Sequence, residues 1–114
     1  MYIGDRVLEW GSGCGHKASW MRIHFGVDVV GVEGSRASVN WANAHSLGTF
    51  CAAAAATSDG AKQLEFLPDA SFQHALSVAA VFQLPYEAQC GVLKELLRLV
   101  VDGGTISLMW CVVI

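Results

Sequence analysis

Apolar positions along the chain fall into short runs whose spacing switches back and forth between strand and helix periods. Arg6-Val7-Leu8-Glu9-Trp10 is a compact run stopped by Gly11 and reads as a first strand. Lys17 to Phe25 changes to helical spacing, with Ala18, Met21 and Phe25 on one face, and Gly26 ends it. Val27 to Val32 is a second strand. Ser35 is an N-cap for a second helix in which Ala37, Trp41 and Ala44 share a face, and which stops near Ser46 with Gly48 just beyond. A third strand runs from Thr49 to about Ala54, although the alanines from Ala52 to Ala56 have weak strand propensity. Residues 57 to 71 carry turn signals, Ser58-Asp59-Gly60 and then Pro68-Asp69.

His74 to Ala79 reads as a fourth strand. Pro85 opens a third helix with Glu87 in its first turn and Val92, Leu93, Leu96 and Val100 on its buried face. Asp102-Gly103-Gly104 breaks that helix, and Thr105 to about Val112 forms a fifth strand. Strands alternating with helices predict βαβ units, a parallel sheet and right-handed crossovers. There is no internal repeat or linker, so the 114 residues make one domain, and one that stops on the apolar fifth strand. A long hydrophobic strand at a sheet edge invites aggregation, so a missing segment or a partner is expected to cover it.

Composition sharpens this picture. The chain is 54% hydrophobic and only 15% charged, which suits strands buried on both faces and excludes disorder. Net charge is −3 and the basic residues are scattered singly, so nothing tracks a phosphate backbone and nucleic-acid binding has no support. Cys14, Cys51, Cys90 and Cys111 lie far apart without metal or disulfide spacing and read as reduced core residues. Ile106 to Ile114 is too short for a membrane helix, and no secretory signal is visible; the expectation is an intracellular, cytoplasmic protein without a membrane partner.

The chemistry sits in Glu9-Trp10-Gly11-Ser12-Gly13-Cys14-Gly15-His16. Glycines at alternate positions after a buried strand let the backbone turn sharply and approach a ligand closely. The amides at the start of the following helix favour a carboxylate or phosphate. Glu33, at the end of the second strand, can accept both ribose hydroxyl protons of an adenosine. Two cofactor types fit. Gly13-Cys14-Gly15-His16-Lys17-Ala18 also matches the G-x-G-x-x-A dinucleotide fingerprint, which keeps NAD open. Against it, Gly13 does not follow the strand directly, and the Glu9 carboxylate repels a pyrophosphate while suiting a ligand that presents an ammonium.

Val7-Leu8-Glu9-Trp10-Gly11-Ser12-Gly13-Cys14-Gly15 resembles the first motif of class I S-adenosylmethionine-dependent methyltransferases, of the type 11/25-like group. Val30-Gly31-Val32-Glu33 resembles their acidic second motif, and Leu67-Pro68-Asp69-Ala70-Ser71-Phe72 the segment before their fourth strand. Lys94 to Gly104 resembles the helix-to-strand corner before the fifth, with Asp102 where the family often has proline. The resemblance covers almost the whole chain. It implies an α/β, Rossmann-like three-layer sandwich with sheet order 3-2-1-4-5 and helices on both faces, cut short after the fifth strand. It implies S-adenosylmethionine as cofactor, methyl transfer to a small-molecule acceptor, and a cofactor site made of Glu9, Trp10, Gly11, Ser12, Gly13, Gly15, Glu33, Gly34 and Ser77. The sulfonium methyl is already activated, so holding the acceptor in line suffices and no catalytic acid, base or metal is assigned.

Two departures stand out against that family. Ala53-Ala54-Ala55 replaces the usual acidic residue after the third strand, and Phe72-Gln73 replaces a phenylalanine–aspartate pair, both expected to weaken adenosine binding. No Asn/Asp-Pro-Pro-aromatic motif occurs at Ser77-Val78-Ala79, which argues against methylation of DNA bases. His74 reads as a structural histidine, and Trp20 and Trp41 as packing residues. Trp10 and Trp110 are open between packing and ligand contact, as is His16 between a ligand role and none, and Gln83 and Tyr86 flank the acceptor region. Two rival functions remain: a non-catalytic module that binds a partner through its fifth-strand edge, and a nicotinamide-dependent oxidoreductase fragment.

Overall fold

Five parallel strands are laid side by side in the order β3-β2-β1-β4-β5, in a computed structural model that describes residues 1–53 and 64–109. They are β1 (Arg6–Trp10), β2 (Asp28–Glu33), β3 (Thr49–Ala52), β4 (Phe72–Val78) and β5 (Val100–Met109). The helices are α1 (His16–Phe25), α2 (Arg36–His45) and α3 (Tyr86–Leu99), with a 3₁₀ turn at Val81–Gln83. The expected end of the third strand, the Ser58-Asp59-Gly60 turn, Ala54 and Ala55, Trp110, Cys111 and the expected end of the fifth strand at Val112 lie outside the described residues.

β1 is the hub. Leu8 pairs with Val30 of β2 on one side and Ala75 of β4 on the other. Alternation along β1 sends Val7 to one face and Leu8 to the other, which is how one strand feeds two cores. Val7 joins Val29 and Phe50 under Ala18 and Met21 of α1 and Val39 and Ala42 of α2. Leu8 joins Phe72 and Ala75 under Ala88, Val92, Leu96 and Leu99 of α3. Each fully buried leucine or valine contributes roughly 1.5–3 kcal/mol, so the two apolar layers fix which helix covers which face.

The structure corrects several details of the sequence reading. On α1, Phe25 is exposed, and it meets Trp20 edge-on at 5.3 Å between ring centroids. On α2 the inward residues are Val39 and Ala42; Ala37, Trp41 and Ala44 point outward, and Trp41 meets His16 and His45 with tilted rings. The helix meets Phe50 through its small side chains, for which the tryptophan is too bulky. Ser35 does cap α2, its Oγ accepting the Ser38 N–H at 3.3 Å. α3 ends at Leu99, and the β-branched pair Val100-Val101 is already extended, so Val100 starts β5 instead of finishing the helix face. Asp102-Gly103-Gly104 lies inside β5 as an irregularity: the register steps from Phe72↔Val100 to His74↔Thr105, with Gly103 at φ 79°.

Two side-chain clusters fasten the end of the sheet away from the glycine loop. His74 links three strands' worth of chain, Nε2 to Asp5 Oδ2 at 2.9 Å and Nδ1 to Thr105 Oγ1 at 2.6 Å. The Tyr2 N–H, and after it His74, hold the Asp5 carboxyl below its ordinary range. Arg98 gathers the segment leading into β4: its guanidinium donates to the Leu64 and Leu67 carbonyls, to Asp69 Oδ1 at 2.6 Å and to Glu95 Oε2 at 2.7 Å. Replacing Arg98 with methionine keeps the stem and strands those acceptors, at an expected cost of about 2 kcal/mol by urea unfolding. An unchanged midpoint would show that water replaces the guanidinium without penalty. No described helix is long and apolar enough to cross a membrane.

Candidate cofactor site

At the carboxyl ends of β1 and β2 the chain opens into a cleft of about 280 Å³, lined by Trp10, Gly11, Val32, Glu33, Gly34, Ser35, Ala53, Ala80, Gln83 and Leu84. Its place follows from the strand order. The chain leaves β1 toward β2 but β4 returns on β1's other side, so the loops after these strands part and leave a crevice.

The glycine loop forms one wall, with its glycines in different settings. Gly11 has φ 79°, and a Cβ there would lie 2.4 Å from the Ala80 Cβ, so the loop hugs the turn after β4. Gly13 has φ 57° and nothing within 4 Å of where its Cβ would be, which leaves open space over the middle of the loop. Glu33 ties that loop to the start of α2. Its Oε1 accepts the Gly13 N–H at 3.1 Å and its Oε2 the Ser35 N–H at 2.7 Å. A carboxylate has about four acceptor positions, so each oxygen keeps capacity for a ligand hydroxyl while the backbone holds it in place.

Glu9 is unlike Glu33. Its side chain is 0% exposed, and neither oxygen receives a hydrogen bond. Lys17 Nζ, from the first turn of α1, stands 3.3 Å from Oε2 as an ion-pair partner. Burial pushes the Glu9 carboxyl above its ordinary value, Lys17 pulls it part of the way back, and the Glu33 charge adds to the rise. Ser12 Oγ, packed against Gly31, is also buried without a partner.

Of the residues expected at the site, Trp10, Gly11, Glu33 and Gly34 line the cleft, although Trp10 is 5% exposed and is mainly a core residue of the α3 layer. Glu9, Ser12 and Gly13 do not line the cleft: Glu9 and Ser12 are buried, and Gly13 has open space around its Cβ position. Gly15 is packed against Phe50 and Ser46, where a Cβ would come within 2.7 Å of the phenylalanine ring. Ser77 stands apart: it is buried, and its hydroxyl donates to the Trp10 carbonyl at 3.0 Å, latching β4 to β1 beneath the cleft. Gln73 lies at the opposite end of the sheet, accepting the Arg6 N–H at 2.6 Å, so the departure at Phe72-Gln73 is remote from the cleft. Ala53 does line it, with an apolar methyl where an acid was looked for. Ala80 and Leu84 escaped the sequence reading; the topological switch between β1 and β4 was the signal that pointed to them.

A buried carboxylate at the end of the strand that leads into the glycine loop, faced by one ammonium at 3.3 Å, suits a ligand carrying an ammonium group and does not suit a pyrophosphate. The profile of the methyltransferase domain family matches residues 7–104. The chain belongs to the methyltransferase domain family.

No curated protein matches this methyltransferase domain. Among solved structures it resembles the Haloferax volcanii protein seen in complex with the Trm112 methyltransferase activator, with a TM-score of 0.78 at 24% identity, covering 93% of this chain and 45% of that one. It resembles an S-adenosylmethionine-dependent methyltransferase from Geobacter sulfurreducens in complex with S-adenosylhomocysteine, with a TM-score of 0.70 at 23% identity over 93% and 41%. It also resembles the [4+2]-cyclase SpnF, with a TM-score of 0.74 at 19% identity over 89% and 37%. The methyltransferase domain thus has the class I, Rossmann-like fold of S-adenosylmethionine enzymes and spans less than half the length of these solved chains.

Proposed function

We propose that the chain is the cofactor-binding part of an enzyme that transfers a methyl group from S-adenosylmethionine to a small-molecule acceptor. The observation that carries this reading is the pair of carboxylates at the glycine loop: Glu9 buried in the strand that leads into it and Glu33 tied to its middle. S-adenosylmethionine supplies a methyl group already activated on a sulfonium. Glu9 balances the ammonium charge of the methionine part, and Glu33 accepts from the ribose hydroxyls. Val32, Ala53 and Leu84 give an apolar wall for the adenine ring, and Gln83 shapes the side from which an acceptor approaches. Glu33, the one acidic side chain of the lining, is committed to backbone and ribose, so the reading relies on orientation instead of proton transfer.

The domain's own wall for the acceptor is short. β5 ends the sheet order and offers an unpaired edge among the described residues. In the full protein, further chain or a partner subunit would cover that edge and complete the acceptor pocket; the Haloferax volcanii relative, seen with an activator protein, supports a partner.

A second reading has one observation in its favour. The same fold serves a [4+2]-cyclase, so binding in this cleft need not lead to methyl transfer. A thermal-shift screen decides the first step, with S-adenosylmethionine and S-adenosylhomocysteine run against NAD, NADP and ATP. A ligand at 100 times its dissociation constant should add about 2.7 kcal/mol of stability. Stabilisation by the two adenosyl ligands alone is the expected result. Stabilisation by NAD overturns the cofactor assignment, and a cooperative transition that no ligand moves favours the non-catalytic module.

A further inference from the structure

Among the described residues, Glu9 is the one carboxylate that is fully buried with neither oxygen hydrogen-bonded. Leaving such a group unpaired in the interior is costly, and Lys17 is what faces it, at 3.3 Å from one oxygen. Lys17 comes from the first turn of α1, where the helix dipole disfavours a cation and no acidic residue of that turn offsets it. Its side chain is 47% exposed, so water can receive the ammonium when it lets go. Chemically, a lysine head is a primary ammonium on a flexible stem, the same group that an amino-acid-bearing cofactor would present.

Building on the cofactor reading above, we propose that Lys17 stands in for the cofactor's ammonium group, pairing with Glu9 while no ligand is bound and swinging out when S-adenosylmethionine arrives. The pairing offsets part of the cost of burying Glu9 in the ligand-free domain. It also sets a threshold, because a ligand must displace Lys17 before it can use Glu9. The threshold applies only to ligands that carry the ammonium; an adenosyl compound without it binds beside an undisturbed ion pair.

Lys17→Met tests this by titration calorimetry with two probes, S-adenosylhomocysteine and 5′-methylthioadenosine, which lacks the amino-acid part. The expected result is roughly tenfold tighter binding of S-adenosylhomocysteine, equal to about 1.4 kcal/mol, with 5′-methylthioadenosine unchanged. Weaker binding of S-adenosylhomocysteine would make Lys17 a cofactor ligand, and an equal change for both probes would make its role purely structural; either result overturns the proposal. Lys17→Arg keeps the charge and is expected to leave both affinities near those of the native chain, which guards against a methionine variant that folds poorly.

A second readout needs no ligand. Lys17 from α1 and Glu33 from β2 are the charged groups acting on Glu9. A protonated Glu9 needs no cation, so Lys17→Met should cost little thermal stability near the ordinary carboxyl value of 4.5. The deficit should then grow as pH rises toward neutrality and Glu9 is driven to ionise without its cation. A deficit independent of pH overturns the ion-pair role. If the native chain binds neither probe, the cofactor reading fails while this pH profile still reports on the Glu9–Lys17 contact.

Discussion

Replacing Glu33 with alanine is expected to weaken S-adenosylhomocysteine binding by two to three orders of magnitude, about 3–4 kcal/mol. The figure comes from two charge-assisted hydrogen bonds to ribose hydroxyls, each worth about 1.5–3 kcal/mol when the acceptor is ionised. The same substitution frees the Gly13 and Ser35 amides, which lie near solvent and can turn to water, so only about 1 kcal/mol of fold stability should go with it. Calorimetric titration beside a thermal melt separates the two effects. Glu33→Gln keeps the shape and one acceptor and should fall between alanine and the native chain. Unchanged affinity in the alanine variant would remove Glu33 from the site.

The glycine loop gives the largest expected effect on the fold itself. At Gly11 an alanine meets two penalties: left-handed backbone at φ 79°, about 1–2 kcal/mol, and a Cβ placed 2.4 Å from that of Ala80, about 1–3 kcal/mol more. Together they amount to about 3–4 kcal/mol, a drop in Tm on the order of 15 °C for a domain of this size. Gly13→Ala carries only the backbone penalty, because nothing lies within 4 Å of its Cβ. It should stay folded, with a Tm a few degrees lower by roughly 1 kcal/mol of strain, and still lose cofactor affinity as its methyl fills the space over the loop. Differential scanning calorimetry on both variants, followed by titration of the folded one, makes the comparison. A Gly11→Ala protein as stable as the native chain would show that the Ala80 turn yields freely, and the close approach of the two walls would lose its meaning.

Features written in a few neighbouring residues were readable in the sequence. The strand stop at Gly11, the Ser35 cap and the acid ending β2 each depend on local backbone or on one side chain. The strand order came from resemblance to a family, since periodicity alone says that strands and helices alternate and not which strand sits in the middle. Helix faces were misread where two apolar phases compete. On α2, Val39-Ala42 and Trp41 both offer an apolar face, and only the tight seat against Phe50 chooses the smaller pair. The same limit applies at Val100, where a residue in phase with the α3 face is extended because β5 starts early. Gln73 and Ser77 were placed by motif alignment as if near the ligand. Their partners, Arg6 and the Trp10 carbonyl, belong to the other half of the chain, and no local pattern announces them.

The latch from Ser77 to Trp10 also has a bearing on time. It joins residues 67 apart in the chain, and β1, the strand that carries Trp10, can pair on that side only after β4 exists. Closing so long a loop is paid for in chain entropy before any contact rewards it, which makes parallel sheets of this order slow to fold. On a ribosome, β1 and β2 emerge first and meet early, with the glycine loop and Glu33 already in place. The cleft wall from Ala80 to Leu84 follows only after β4. A nascent chain therefore carries half a binding site until the second wall is made, and cofactor can act as a folding aid only once that wall packs against Gly11.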